Sequence, residues 1–288
     1  MEERGARIVE DLTGVLQGEI RCDPLSVAMY ATDGSLYQVR PLGVVYPRHR
    51  DDVVALARYA SQEKIPLIAR GAGTGLAGES LGSGLIVDFS RHMRQIESIS
   101  ETTIRVQPGV VCRQLNQALH KIGRYFPPDP SGASVTTIGS MLSLDAAGSH
   151  SVRVGSTRDH VQSLEVVLAG GECLELADEL VDDTWSDPAA AHTALSSTDT
   201  PQDASSIQFP TRRRLLARLA RLLADNTPLI AAHQPPLVRN RCGYYLRGVF
   251  DGRQLKVPRM LVGSEGTLGL FTAATLHTAA LPAHRGVV

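Results

Sequence analysis

The run Arg70-Gly71-Ala72-Gly73-Thr74-Gly75-Leu76-Ala77-Gly78 limits what this chain can fold into more than any other stretch. Glycine at this density cannot form the interior of a helix or strand at reasonable cost, so the run is a loop. Successive backbone N–H groups in such a loop make a concave nest for phosphate oxygens. Gly73 to Gly78 also spells GxGxxG, the pattern that opens a Rossmann helix and seats a pyrophosphate on its N-terminus. The context differs here. The loop continues through Glu79-Ser80-Leu81-Gly82-Ser83-Gly84 into another apolar run, Leu85-Ile86-Val87-Asp88-Phe89, which reads as a strand. Any anion must then rest on loop amides and not on a helix end. A glycine-rich connection without a ligand is the alternative that the residues leave open.

The flanks predict alternating helices and strands. Residues 1–30 read as a helical opening segment ending near Asp23-Pro24. Gly43 to Tyr46 and Ile65 to Ala69 read as short strands on either side of a helix over 50–63, which has apolar residues at helical spacing and acids in its first turn. Thr103 to Gln107 is a strand, and a helix follows over about 111–122. Phe126-Pro127-Pro128-Asp129-Pro130-Ser131-Gly132 is too rich in proline for a helix or a central strand. Residues 161–177 predict a hairpin turning at Gly170-Gly171.

From 178 to 210 the composition shifts to Asp, Ser, Thr, Ala and Pro, the mark of a long polar insertion. A helix over 211–225 follows, with Leu215, Leu216, Leu219, Leu222 and Leu223 on one face and three arginines in its first turn, opposed to the helix dipole. Met260-Leu261-Val262 and Leu270 to Ala273 read as a last strand pair.

Global properties exclude several classes. The net charge of −1 offers no field for nucleic acid, and the arginine-rich helix lacks an aromatic platform beside it. No stretch reaches the ~18–20 apolar residues that a bilayer crossing needs, so the cytoplasm is the expected location. Cys22, Cys112, Cys173 and Cys242 lie far apart with no CxxC pair, which predicts buried free thiols and argues against zinc or an iron–sulfur cluster in this chain. No metal ligands are expected, since no histidine pair has metal-ligand spacing.

Two further motifs complete a pattern. One is Pro127-Pro128-Asp129-Pro130-Ser131, then Thr136-Thr137-Ile138-Gly139-Ser140-Met141, then Asp145-Ala146-Ala147-Gly148-Ser149 and Val154-Gly155. The other is Val262-Gly263-Ser264-Glu265-Gly266-Thr267-Leu268-Gly269. With the glycine loop, in this order and spacing over roughly residues 20–282, they resemble the FAD-linked oxidases with a p-cresol-methylhydroxylase-type (vanillyl-alcohol-oxidase) flavin domain. Within that family the chain resembles the D-2-hydroxy-acid dehydrogenases: the glycolate oxidase flavin subunit and the D-lactate and D-2-hydroxyglutarate dehydrogenases. It also resembles the large forms that append an iron–sulfur module, towards which Asp145-Ala146-Ala147-Gly148 leans.

The resemblance implies an α+β fold of two α/β subdomains, residues 1–90 and 91–288, with a polar insertion at about 178–240 and FAD between them. Arg70, Gly71, Ala72, Gly73, Thr74, Gly75, Leu76 and Gly78 would hold the pyrophosphate. Pro130, Ser131, Thr137, Ile138 and Gly139 would line the flavin and ribityl path. Ala146, Gly148, Ser149 and Gly155 would let the cofactor near the backbone, and Glu265 and Gly266 would come from the third motif. For Glu265 and Asp145, ligand contact and a structural role both stay open. Thr74 stands where members with FAD bonded through this loop have histidine, so the FAD is expected to be non-covalent.

The implied parent reaction oxidises a 2-hydroxy acid to a 2-oxo acid and passes electrons to a further acceptor. The family's substrate cap would begin near Leu281 to Arg285, so a fragment without its cap, or without an iron–sulfur module, is expected. His150, within the second motif, and Arg153 and Arg158 are candidates to face the flavin or an acidic substrate. No catalytic base is assigned. Two rivals remain: a non-catalytic flavin-binding subunit that completes a site with a partner chain, and a nicotinamide-binding Rossmann protein.

Overall fold

The computed structural model of the chain describes residues 3–181, 208–233 and 243–282. Two sheets dominate it. The first starts from two apolar runs, Gly43–Tyr46 (β2) and Leu85–Asp88 (β4), every residue of which is buried. Runs buried on both faces suit the centre of a parallel sheet. β2 and β4 are parallel neighbours, and Leu67–Arg70 (β3) adds parallel to β4 at one edge. Helix α3 (Arg50–Gln62) crosses between β2 and β3 and buries Val53, Leu56, Ala57 and Ala60, an i, i+3, i+4, i+7 stripe. No helix lies between β3 and β4. The glycine loop makes that crossing itself, and so runs over the end of the sheet.

The opening segment differs from the expected continuous helix. Glu3–Leu12 (α1) and Pro24–Tyr30 (α2) are separated by a strand, Glu19–Arg21 (β1), that pairs antiparallel with β2. Asp23-Pro24 starts a helix and does not end one. The Asp23 carboxylate accepts the Ser26 amide at 2.9 Å, and proline fits the first turn, whose N–H has no intrahelical partner. Asp52, 2% exposed, accepts the amides of Gln17, Gly18 and Arg48 and so fastens this segment to α3.

The second sheet is antiparallel with six strands: Ile96–Ile99 (β5), Thr103–Val106 (β6), Val161–Val167 (β8), Cys173–Leu180 (β9), Gln254–Lys256 (β10) and Leu270–His277 (β11). Its order is β10-β9-β8-β11-β6-β5. A two-stranded pair, Arg124–Tyr125 (β7) with Ala279–Ala280 (β12), lies apart from it. Helix α4 (Cys112–His120) packs Leu115 and Leu119 into the core of this half, beside Phe126, Met141, Leu164 and Leu276. Val167 and Leu270 of the second sheet enter the core under α3, and Arg50 reaches Glu165 at 3.4 Å, so the two halves share packing and an ion pair.

The hairpin at Gly170-Gly171 forms as expected, with β8 and β9 in antiparallel register and Gly171 at φ +84°. β9 runs on to Leu180, past the composition shift, while residues 182–207 and 234–242 of the expected insertion lie outside the described residues. Helix α7 spans Gln208–Asp225 and a short α8 follows over Thr227–His233. Because α7 starts at Gln208, its arginines sit beyond the first turn, which removes the expected conflict with the dipole. Arg212 instead pairs with Glu179 and donates to the Glu175 carbonyl. Leu216, Ala220 and Leu223 form its buried face, whereas Leu215 and Leu222 are exposed.

Met260 and Leu261 belong to a helix, α9 (Val257–Leu261), and not to a strand, with Pro258 in its first turn. β11 pairs with β6 and β8 instead. Cys22 and Cys112 are buried, and burial pushes both thiols up to about 11. Cys173 is partly buried and Cys242 lies outside the described residues. Among the described residues no helix is long and apolar enough to cross a membrane.

Candidate cofactor cleft

A cleft of about 270 Å³ opens where the ends of the two sheets meet. Its first wall is the glycine loop. Arg70, Gly71, Gly73, Thr74 and Gly75 line it, together with Glu79 and Ser80 further along the same loop. Arg70 shapes this wall from beneath. Its guanidinium donates to the Thr32 carbonyl at 2.8 Å and to the Tyr30 carbonyl at 3.5 Å, and lies 4.9 Å from the centre of the Tyr30 ring. Gly73, at φ +65°, passes directly over that guanidinium, where a Cβ would come within 2.6 Å of Nη2. Among the described residues, the amides of Ala72, Gly73, Thr74, Gly75 and Leu76 donate to no protein acceptor. These donors suit a phosphate.

The second wall comes from the proline-rich run and from a helix absent from the sequence-based expectations, α5 (Ile138–Leu144). Thr137 caps it, accepting the Ser140 amide at 3.3 Å. Ile138, Met141 and Leu142, at i, i+3, i+4, turn to the core. Gly139, Ser140, Ser143 and Leu144 turn to the cleft, beside Pro130, Ser131, Thr137 and Ala146. Gly71 presses on this wall so closely that a Cβ would collide with Ser140 Oγ and Thr137 Oγ1.

The third motif closes the back through Glu265, Gly266 and Gly269, with Phe271 of β11 beside them. It is stitched to the end of α5: the Gly263 amide donates to the Leu142 carbonyl at 2.8 Å and the Glu265 amide to the Ser143 carbonyl at 2.9 Å. Asp145 and Glu265 both take left-handed backbone, φ 50° and 52°, where the two segments meet. Asp145 is 3% exposed and accepts the Arg158 amide at 2.9 Å, with the Arg158 guanidinium at 3.5 Å. Arg158 donates onward to the Val262 carbonyl at 2.7 Å and lies over the Tyr245 ring at 4.1 Å. Burial lowers the Arg158 pKa, against the pull of Asp145. Arg158 is thus an internal brace and does not face a substrate.

The cleft brings together most of the expected cofactor residues but not all. Ile138 is fully buried in the core of the second half. Ala72 and Leu76 point to solvent, Leu76 at 80% exposure. Gly78, at φ +81°, packs against Tyr37. Gly148 lets the Asp129 backbone come close, Ser149 donates to Asp129 at 3.2 Å, and Gly155 ends the short helix α6 (Ser151–Val154). His150 is mostly exposed, with Nδ1 2.5 Å from Asp129 Oδ2, and lines no part of the cleft. Sequence reasoning missed Glu79, Phe89, Pro108, Ser140, Ser143, Leu144 and Phe271. The α5 residues carried a signal, since Thr137 followed by an i, i+3, i+4 apolar set is a helix start.

Donor amides on one side and the apolar faces of Phe89, Pro108, Pro130, Leu144 and Phe271 on the other suit a ligand with a phosphate middle and a flat aromatic ring. Residues 41–177 match the FAD binding domain family. The chain carries an FAD-binding domain. It is 38% identical over 265 residues to a D-2-hydroxyglutarate dehydrogenase of Pantoea ananatis, covering 90% of this chain and 24% of that protein. It is 37% identical to the Escherichia coli protein of the same name over the same shares. It is 36% identical over 151 residues to glycolate oxidase subunit GlcD of Bacillus subtilis, covering 51% of this chain and 32% of that one.

In this region the chain is similar to FAD-linked dehydrogenases and oxidases. It spans about a quarter of the length of the dehydrogenases it matches. A solved alkyldihydroxyacetonephosphate synthase superposes with a TM-score of 0.64 at 19% identity, over 97% of this chain and 44% of that one, which establishes the p-cresol-methylhydroxylase-type fold.

Proposed function

We propose that this chain is the flavin-binding part of a dehydrogenase that oxidises a D-2-hydroxy acid of the glycolate, lactate or 2-hydroxyglutarate type to its 2-oxo acid. The cleft carries the reading: residues of the glycine loop and of both further motifs line one cavity. A division into two subdomains, residues 1–90 and 91–288, with FAD between them is part of the same proposal. The names of the relatives support the hydroxy-acid substrate. FAD, bound non-covalently beside Thr74, would supply the hydride acceptor. The loop amides from Ala72 to Leu76 would hold its phosphates, and Thr137, Ser140 and Ser143 offer hydroxyls along the second wall.

The lining residues would bind and orient the cofactor and shield it from water. The proton acceptor, the electron acceptor and much of the substrate contact would come from a cap or an iron–sulfur module, in a cytoplasmic enzyme. A second reading has a separate partner chain completing the site, and the word "subunit" in the Bacillus subtilis relative's name favours it. Oxidised-flavin absorption bands that pass wholly into the supernatant on acid precipitation are the expected result. A colourless protein that takes up no added FAD would overturn the proposal. Isolated, the chain should bind FAD and turn over poorly, and brisk hydroxy-acid oxidation by these residues alone would count against the missing-cap reading.

A further inference from the structure

A carboxylate sits in the loop where the flavin reading puts phosphate. Glu79 folds back so that Oε2 accepts the Ala77 amide at 3.1 Å. The same carboxylate lies so close to Gly75 that a Cβ on that residue would collide with both Oε1 and Cδ. Glu79 is only partly buried and lines the cleft beside Gly73 and Gly75. One amide of the loop, that of Ala77, thus already holds an anion, and the same carboxylate lies against Gly75, beside the open amides from Ala72 to Leu76.

The nearest cation of the loop does not claim that carboxylate. Arg70 spends its guanidinium on the carbonyls of Thr32 and Tyr30 and on the Tyr30 ring, beneath the loop. Asp33, another acid tied to this segment, is engaged by Ser35 and Ser80. A pyrophosphate ester entering the nest would therefore meet a negative charge that no cation among the described residues pairs with. Two anions side by side on one loop repel each other strongly where water is partly excluded.

We propose that Glu79 is a built-in competitor for the phosphate position of the glycine loop, a residue that sets cofactor affinity by having to swing out before a pyrophosphate ester binds. The inference rests on the flavin reading above and deepens it. In this arrangement Glu79 keeps the empty loop closed on itself. It also gives preference to ligands whose remaining contacts, along the second wall and the third motif, make up for its displacement. Replacing the carboxylate by its neutral isostere leaves the loop shape and removes the competition.

The test uses the flavin-free 288-residue chain with Glu79→Gln and Glu79→Ala, titrated with FAD by flavin fluorescence and with ADP by calorimetry. Riboflavin, which has no phosphate, serves as the control. Both variants should bind FAD and ADP at least tenfold more tightly than the parent, with riboflavin binding unchanged. Unchanged FAD affinity would overturn the proposal. Weaker binding would overturn it too, by showing that the carboxylate holds a ligand hydroxyl. An equal gain for riboflavin would replace charge competition with simple loosening of the loop. Failure of the parent and both variants to bind FAD would sink the flavin reading itself, an outcome separate from the other three. Because Glu79 lies on a partly exposed loop, at least one of the two variants should keep the parent's circular dichroism.

Discussion

The glycine loop lines the cleft and the Asp145–Arg158 pair backs its far wall, yet the two are ordered by opposite means. Leu76 on the loop is 80% exposed, and the loop's amides from Ala72 to Leu76 have no protein acceptors among the described residues. Asp145 and Arg158 have side chains only 5% exposed, and they bind each other, the Val262 carbonyl and the Tyr245 ring. The loop's open donors can reach a ligand because its shape is fixed from below by Arg70. The far wall is fixed by internal charge, so its glycines and hydroxyls present a preset surface. Substitutions should therefore act mainly on stability at the braced wall and mainly on binding at the loop.

The largest effect should come from the brace. Arg158→Met would leave Asp145 buried without its cation, and breaking a buried pair in this way costs about 3–5 kcal/mol. Urea unfolding would report it as a large fall in midpoint. A loss under about 1 kcal/mol would mean that Arg158 is not the brace, and the comparison would fail.

Next comes a place where loop and wall touch. Gly71→Ala puts a methyl against Ser140 Oγ and Thr137 Oγ1. Overpacking of this kind costs about 1–3 kcal/mol. The two walls must also part, so FAD affinity should fall along with stability. If only stability fell, Gly71 would serve packing alone. Thr137→Ala is expected to cost less, about 1 kcal/mol, through loss of the α5 cap. Because Thr137 also lines the cleft, FAD titration beside thermal melting separates its two roles.

How much of this could be read beforehand follows from the physics of each part. β2, α3 and β4 were legible because their apolar residues follow the period of the element they form, and the loop was legible because glycine at that density permits little else. β1, β5 and β10 were not: they are short, half-exposed edge pieces whose pairing is decided by neighbours distant in sequence. The arginines invited a ligand role, but only burial distinguishes Arg158 from Arg153. Glu79 was passed over because nothing in the sequence says that a carboxylate will fold back onto the loop it follows.

The smallest effect should come from Glu265, where backbone and side chain can be told apart. At φ 52° it pays the left-handed penalty of a non-glycine residue, on the order of 1 kcal/mol, while glycine there would lose about 0.5–1 kcal/mol more chain entropy on folding. Glu265→Gly should therefore shift stability by less than about 0.5 kcal/mol, and its amide would keep the bond to the Ser143 carbonyl. Asp145 shares the conformation at φ 50° but is locked by Arg158, whereas Glu265 is exposed at the cleft. FAD titration of Glu265→Gly then decides what its carboxylate does. Unaltered affinity would make Glu265 part of the preset wall, working through its backbone alone. A clear loss would show that the wall, like the loop, offers the ligand a side chain, and the division between a rigid face and a binding face would have to be redrawn through the third motif.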